Sequence, residues 1–128
     1  MKVVQEIVAY FDRRGVLSSN QMRKLLDKGF LAADAPPTMT GLSDMVGSTF
    51  YFRMRGTVEG SVWGTDVYTS DSTLAAAAVH AGLLKPEENA IVKVTIVAPP
   101  TQFKGRSRNG VTSHNFGRYG SAYRLSEI

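Results

Sequence analysis

The 128-residue chain has no cysteine, which removes disulfides, thiol nucleophiles and thiolate metal sites together. Histidine is nearly as scarce, with only His80 and His114. A metal site would need carboxylates gathered from distant segments, so neither a metal nor a cofactor is expected. No apolar run approaches the ~20 residues that cross a bilayer, and the opening "MKVVQEIVAYFDRR" is too charged for a secretory leader. A cytoplasmic setting is the expectation. Acid is missing where base is plentiful: between Thr101 and Ser126 stand Lys104, Arg106, Arg108, Arg118 and Arg124, with no carboxylate. In residues 1–45, by contrast, six basic and five acidic groups nearly cancel.

What is present describes a globular protein. Hydrophobic residues make up 43% and charged residues 20%, too apolar for a chain disordered throughout. The length suits one ordinary domain with a small appendage. A net charge of +4 is slight for a nucleic-acid binder, and no motif of that class occurs.

The chain divides into three parts. Residues 1–33 read as a helical hairpin. Val3, Val4, Ile7, Val8 and Phe11 recur at helical spacing, Gly15 supplies a stop, and Ser18 with Gln21 forms a capping box ahead of Met22, Leu25 and Leu26. Two helices this short bury little alone, so they dock on the main domain or on a second copy of the chain. Residues 34–45, with Pro36 and Pro37, have the composition of a linker. From 46 to 128 the period becomes that of strands. Phe50, Phe52 and Met54 alternate with Tyr51, Arg53 and Arg55, "NAIVKVTIVAP" is nearly apolar throughout, and Asn109-Gly110 marks a tight turn.

Between those strands lies "SVWGTDVYTSDSTLAAAAVHAGLL", residues 61–84. Ser70 or Asp71 is placed to cap a helix over about 72–82, and Gly82 to end it. Alanines at 75–78 form helix readily but bring little apolar area. Such a helix fits where sheet crosses it closely and only small side chains have room, with Leu74, Val79, Leu83 and Leu84 supplying the bulk.

The same residues carry a family resemblance. The turn V-x-G-T-D-x-Y-T, the serine-rich helix start, A-A-x-H-A-G, and the later N-G-V with a glycine-serine-aromatic ending resemble the LCCL domain in its cysteine-free, bacterial-type form. The resemblance covers roughly residues 46–126, about two thirds of the chain. It implies an α+β fold with β-strands wrapped around a central helix. It also implies a binding module and not an enzyme, with suggested ligands such as lipopolysaccharide or other lipids and carbohydrates. Better-known members are extracellular and carry cysteines; this chain does not, and needs no oxidising compartment.

His80 invites a catalytic reading because Asp66, Ser70, Asp71 and Ser72 are near it in sequence. No nucleophile elbow is present, however, and a histidine at a packed helix end points to structure, its ring donating to a backbone carbonyl or to Asp66. Asp66 reads as a turn residue. No catalytic residue is assigned. For binding, the candidate cations are Lys104, Arg106, Arg108 and Arg118, and the candidate ring surfaces are Trp63, Tyr68, Phe116 and Tyr119. On composition alone a solvated basic face is the favoured reading, and Trp63 and Tyr68 read first as a core lid and only second as walls of a pocket. The function these point to is a non-enzymatic module, homo-oligomeric, binding a small anionic or surface-displayed molecule such as a glycan or lipid head group. A bacterial or phage protein sequestering a cytosolic nucleotide-like signal would fit the same features. The alternative is an assembly protein that grips a protein partner through the hairpin, with the LCCL-like part as scaffold.

Overall fold

The computed structural model describes residues 33–127. The helical hairpin expected over 1–33 lies outside the described residues, except for Ala33. The described part is mostly sheet with one short helix. Its strands are β1 (Ala33–Asp34), β2 (Thr49–Arg55), β3 (Gly64–Thr65), β4 (Val67–Thr69), β5 (Asn89–Val97), β6 (Ser107–Arg108), β7 (Val111–Thr112) and β8 (Ala122–Ser126). The helix α1 spans Leu74–His80, two residues shorter at each end than its sequence pattern suggests.

Six strands form one sheet in the order β1-β2-β5-β8-β4-β3, and β6 pairs with β7 apart from it. The register sorts the side chains. Phe50, Phe52 and Met54 of β2 face inward with Val92, Val94 and Ile96 of β5, Tyr68 of β4 and Tyr123 of β8. α1 is buried among them, with Leu74, Ala76, Ala77, Ala78, Val79 and His80 at 0% exposure, and β7 adds Val111 to the same cluster. A helix enclosed this way has no room for side chains longer than methyl along its middle, which accounts for the alanines. On the opposite face of β2, Arg53 and Arg55 are exposed, but Tyr51 is buried. That face is less uniformly polar than alternation implied.

The segment expected to be a linker is packed. β1 pairs in parallel with β2, Met39 is fully buried, and a single 3-10 turn occupies Thr40–Leu42. The prolines stop helix formation, but they leave the carbonyls available, and Pro37 uses its own on the helix. Neither Ser70 nor Asp71 caps α1. The N-cap residue is Thr73, with no side-chain bond, and Leu74 N–H instead donates to Pro37 O at 2.9 Å. Ser72 is engaged elsewhere: its hydroxyl receives Trp63 N–H at 2.9 Å and lies 2.8 Å from Thr69 Oγ1. The far end follows expectation. Gly82 has φ +83°, its N–H donates to Val79 O, and Leu83 N–H donates to Ala78 O, both at 3.0 Å. This is the paired closure of a Schellman motif.

Candidate binding cleft

Three stretches of the sequence signature converge at the C-terminal end of α1. His80 is fully buried. Its Nε2 lies 2.7 Å from Arg106 O and its Nδ1 2.9 Å from the Tyr68 hydroxyl. A carbonyl only accepts, so Nε2 carries the proton, and in the neutral ring Tyr68 O–H donates to Nδ1. Burial pushes the Tyr68 pKa up to about 12, which keeps its proton in place. The His80 carbonyl, left open by the end of the helix, accepts Arg108 Nε–H at 3.1 Å and Asn109 Nδ2–H at 3.0 Å. Arg108 also pairs with Asp66 at 2.9 Å. Asp66 stands at φ 68° in the turn between β3 and β4, while Asn109 at 54° and Gly110 at 83° close the β6–β7 hairpin. The G-T-D, H-A-G and R-N-G elements thus form one hydrogen-bonded junction that fastens the hairpin to the helix. Both ring nitrogens of His80 are engaged inside the fold, and no substrate at the surface meets either.

A second gathering faces solvent. Phe103 and Phe116 form an antiparallel bridge, each N–H donating to the other's carbonyl at 2.8 and 2.9 Å. Between their segments runs an open cleft of about 460 Å³, lined by Gln102, Phe103, Lys104, Gly105, Asn115, Phe116 and Gly117. Its shape is held locally. Asn115 Oδ1 accepts Gly105 N–H at 2.8 Å, and Thr65 Oγ1 donates to Lys104 O at 2.8 Å. A side chain at Gly105 would strike the backbone of Ser113 and His114. Behind the cleft the rings stack edge to face. Trp63 meets Phe116 at 6.5 Å and 69°, and Phe116 meets Tyr119 at 5.6 Å and 74°, both within the favoured geometry for aromatic pairs. Phe116 is 42% exposed. Burial, and then the neighbouring Asp71 carboxylate, raise the Tyr119 phenol above its usual range, so it remains a donor at neutral pH.

The structure therefore divides the sequence candidates. Trp63, Phe116, Tyr119 and Lys104 come together at the cleft and its aromatic wall. Arg118 is exposed beside Tyr119, and Arg106 is exposed at the start of the β6–β7 hairpin. Among the described residues Lys104, Arg106 and Arg118 form no ion pair, whereas Arg53, Arg55 and Arg108 do. Tyr68 and Arg108 are placed elsewhere: Tyr68 has 0% exposure, and Arg108 is committed to Asp66 and the helix end. Gln102, Gly105 and Asn115 were missed by sequence reasoning, Phe103 entered it only as one of the aromatics interleaved with the basic residues, and Asp71 only as a helix cap. The glycine of K-G-R and the N-F-G tripeptide were the available signals for a close backbone crossing. Among the described residues no cluster of histidine and carboxylate side chains is arranged to hold a metal ion, and no helix is long and apolar enough to cross a membrane.

Comparison with known proteins agrees with this architecture. The chain is 41% identical over 59 residues to the transcriptional regulatory protein rxt3 of Schizosaccharomyces pombe, covering 43% of this chain and 17% of that protein. It is 38% identical over 69 residues to human cysteine-rich secretory protein LCCL domain-containing 2, covering 52% and 14%. To clotting factor C of Tachypleus tridentatus it is 33% identical over 69 residues, covering 54% and 7%. The chain thus spans less than a fifth of the length of each of these relatives. The LCCL domain model matches residues 42–122, a span that takes in the helix, the His80 junction and the cleft. The chain belongs to the LCCL domain family.

Proposed function

We propose that this domain is a non-enzymatic binding module whose site is the 102–105/115–117 cleft with its wall of Phe116, Tyr119 and Trp63. The observation that carries this reading is the juxtaposition of a half-exposed ring, Phe116, with an exposed ammonium, Lys104, across a cleft fixed by backbone hydrogen bonds. A ring and a cation side by side suit a ligand with a flat or ring-shaped part and an anionic group. Nucleotide-like molecules and the acidic sugars of surface glycans both have that build. Arg118 and Arg106, exposed on the same stretch of chain, extend the positive rim. His80 holds the scaffold together and leaves catalysis without a general base at this position. With no cysteine to oxidise, the fold has no need of an oxidising compartment.

The direct test is native mass spectrometry of the purified chain before and after exposure to a heat-treated, small-molecule-filtered lysate. A reproducible increment of a few hundred daltons, lost in a Lys104→Ala/Phe116→Ala variant, supports the cleft. An increment that survives the double substitution places the site elsewhere. Arg108→Ala serves as the contrast: it should weaken the fold and leave the ligand's affinity unchanged.

A further inference from the structure

β2 is buried on both faces at its start and on one face at its end. Its inner residues, Phe50, Phe52 and Met54, lie in the cluster around α1. Thr49, Tyr51, Arg53 and Arg55 point the other way, because successive side chains of a strand alternate. α1, the β6–β7 hairpin through Val111 and the 3-10 turn through Leu42 all pack on the inner side. Among the described residues no helix or strand lies over the outer side. Arg53 and Arg55 are exposed there, as an open face requires, yet Thr49 is 5% and Tyr51 4% exposed. Strand side chains stand roughly perpendicular to the sheet, so flanking strands alone leave the top of a tyrosine ring in water. Something covers Tyr51.

The burial is graded, and the gradient locates the cover. Thr49, Thr95 and Arg124 form one row across β2, β5 and β8, and they run from buried through part-buried to exposed. Along β2 the change comes between Tyr51 and Arg53. The cover therefore sits at the β1 edge of the sheet, over the first half of β2. β1 enters at that place. It pairs with β2 in parallel, Ala33 opposite Phe52 and Asp34 opposite Arg53, so the chain followed backward from Ala33 heads along β2 toward Tyr51 and Thr49. Residues 1–32 precede it, with Met22, Leu25 and Leu26 at helical spacing close to the entry point. At ~3.3 Å per extended residue or ~1.5 Å per helical one, they are long enough to turn back over this corner of the sheet.

From this placement we infer that residues 1–32 fold back on their own chain and cover the outer face of the sheet at Thr49 and Tyr51, with the Met22, Leu25 and Leu26 side of the segment against the ring. Of the two arrangements that the hairpin pattern allows, this is docking on its own domain; a segment engaged here is not available to join two copies. The surface is independent of the cleft, which rests on the Phe103–Phe116 bridge and meets the sheet through Thr65 of β3, the edge strand farthest from β1.

Nitration of the full chain with tetranitromethane, read by peptide mass mapping, tests it. Leu25→Asp/Leu26→Asp should uncover Tyr51 and raise its rate of nitration about tenfold, with Tyr119 unchanged. Tyr68 and Tyr123, both at 0% exposure, should stay inert in either chain and so report that the fold is intact. A change at Tyr51 below about twofold in the folded variant overturns the inference. If Tyr68 and Tyr123 react, the variant has unfolded and a nitroxide decides, since a chain without cysteine takes a single label cleanly. Carried by Lys93→Cys, on the outer face beside Tyr51, it should broaden the amide signals of residues 1–32 in its own chain. Absence of that broadening overturns the inference. So does broadening of an isotopically labelled chain by an unlabelled chain that carries the nitroxide, because the cover would then come from a second copy.

Discussion

Replacing His80 by alanine removes a buried ring and strands two polar partners, the Tyr68 hydroxyl and the Arg106 carbonyl. Loss of packing and of both hydrogen bonds should lower unfolding free energy by about 3–4 kcal/mol in urea titrations. A fall below about 1 kcal/mol would mean that the junction is not structural. Tyr68 makes a further prediction through pH. Its folded pKa is raised to about 12 from 10.0 by burial, so the folded protein holds a proton that the unfolded chain releases above pH 10. The stabilisation is complete below pH 10 and is lost as pH rises toward 12, with a slope near 1.4 kcal/mol per pH unit for one proton. Buried Tyr123 shifts in the same direction. Tyr68→Phe should flatten this alkaline decline, as denaturation curves between neutrality and pH 12 would show. At this scale sequence reasoning went only part of the way. It recognised that His80 ends a packed helix, but it grouped Arg108 with the ligand cations, because Asp66 lies 42 positions away in sequence. A salt bridge between distant turns leaves no local pattern.

The helix was legible because its evidence is local: an alanine run, a polar stretch before it and a glycine after it. Its enclosure predicts sharp asymmetry around its circumference. Ala77→Leu or Ala78→Leu forces added methylenes into a filled interior and should destabilise by about 2–3 kcal/mol. Ala75→Leu, at a part-exposed position over a shallow hollow, should change stability by under about 0.5 kcal/mol. Equal effects at the three positions would contradict the packing described. The helix start was misread because its first amide is satisfied by Pro37, from a segment whose prolines resemble a linker. Composition reports what a stretch cannot form, and here it missed what the stretch touches. The strands followed from alternation, while β1 and the short β6 and β7 have too few residues to show any period.

At the scale of the whole molecule the fold separates two groups of signature residues. One group, around His80, Asp66, Arg108 and Asn109, holds the β6–β7 hairpin against the helix. The other, around Lys104, Phe116, Tyr119 and Trp63, remains at the surface beside a cleft. Sequence reasoning gave His80 and Asp66 to structure but put Arg108 with Lys104, Arg106 and Arg118 as a ligand cation, because the four stand in one basic-aromatic stretch. The pairing of Phe103 with Phe116 gathers one group at the cleft, and the pairing of Arg108 with Asp66 commits the other to the junction. The measurement that tests this division most directly is an amide chemical-shift titration of the isotopically labelled chain with adenosine monophosphate and with a sulfated disaccharide. The account predicts concentration-dependent shifts confined to residues 102–105 and 115–119 and to the Trp63 indole for at least one probe, with Asp66, His80 and Arg108 unmoved. Shifts centred on Asp66 and Arg108, or none at the cleft with either probe, would contradict it.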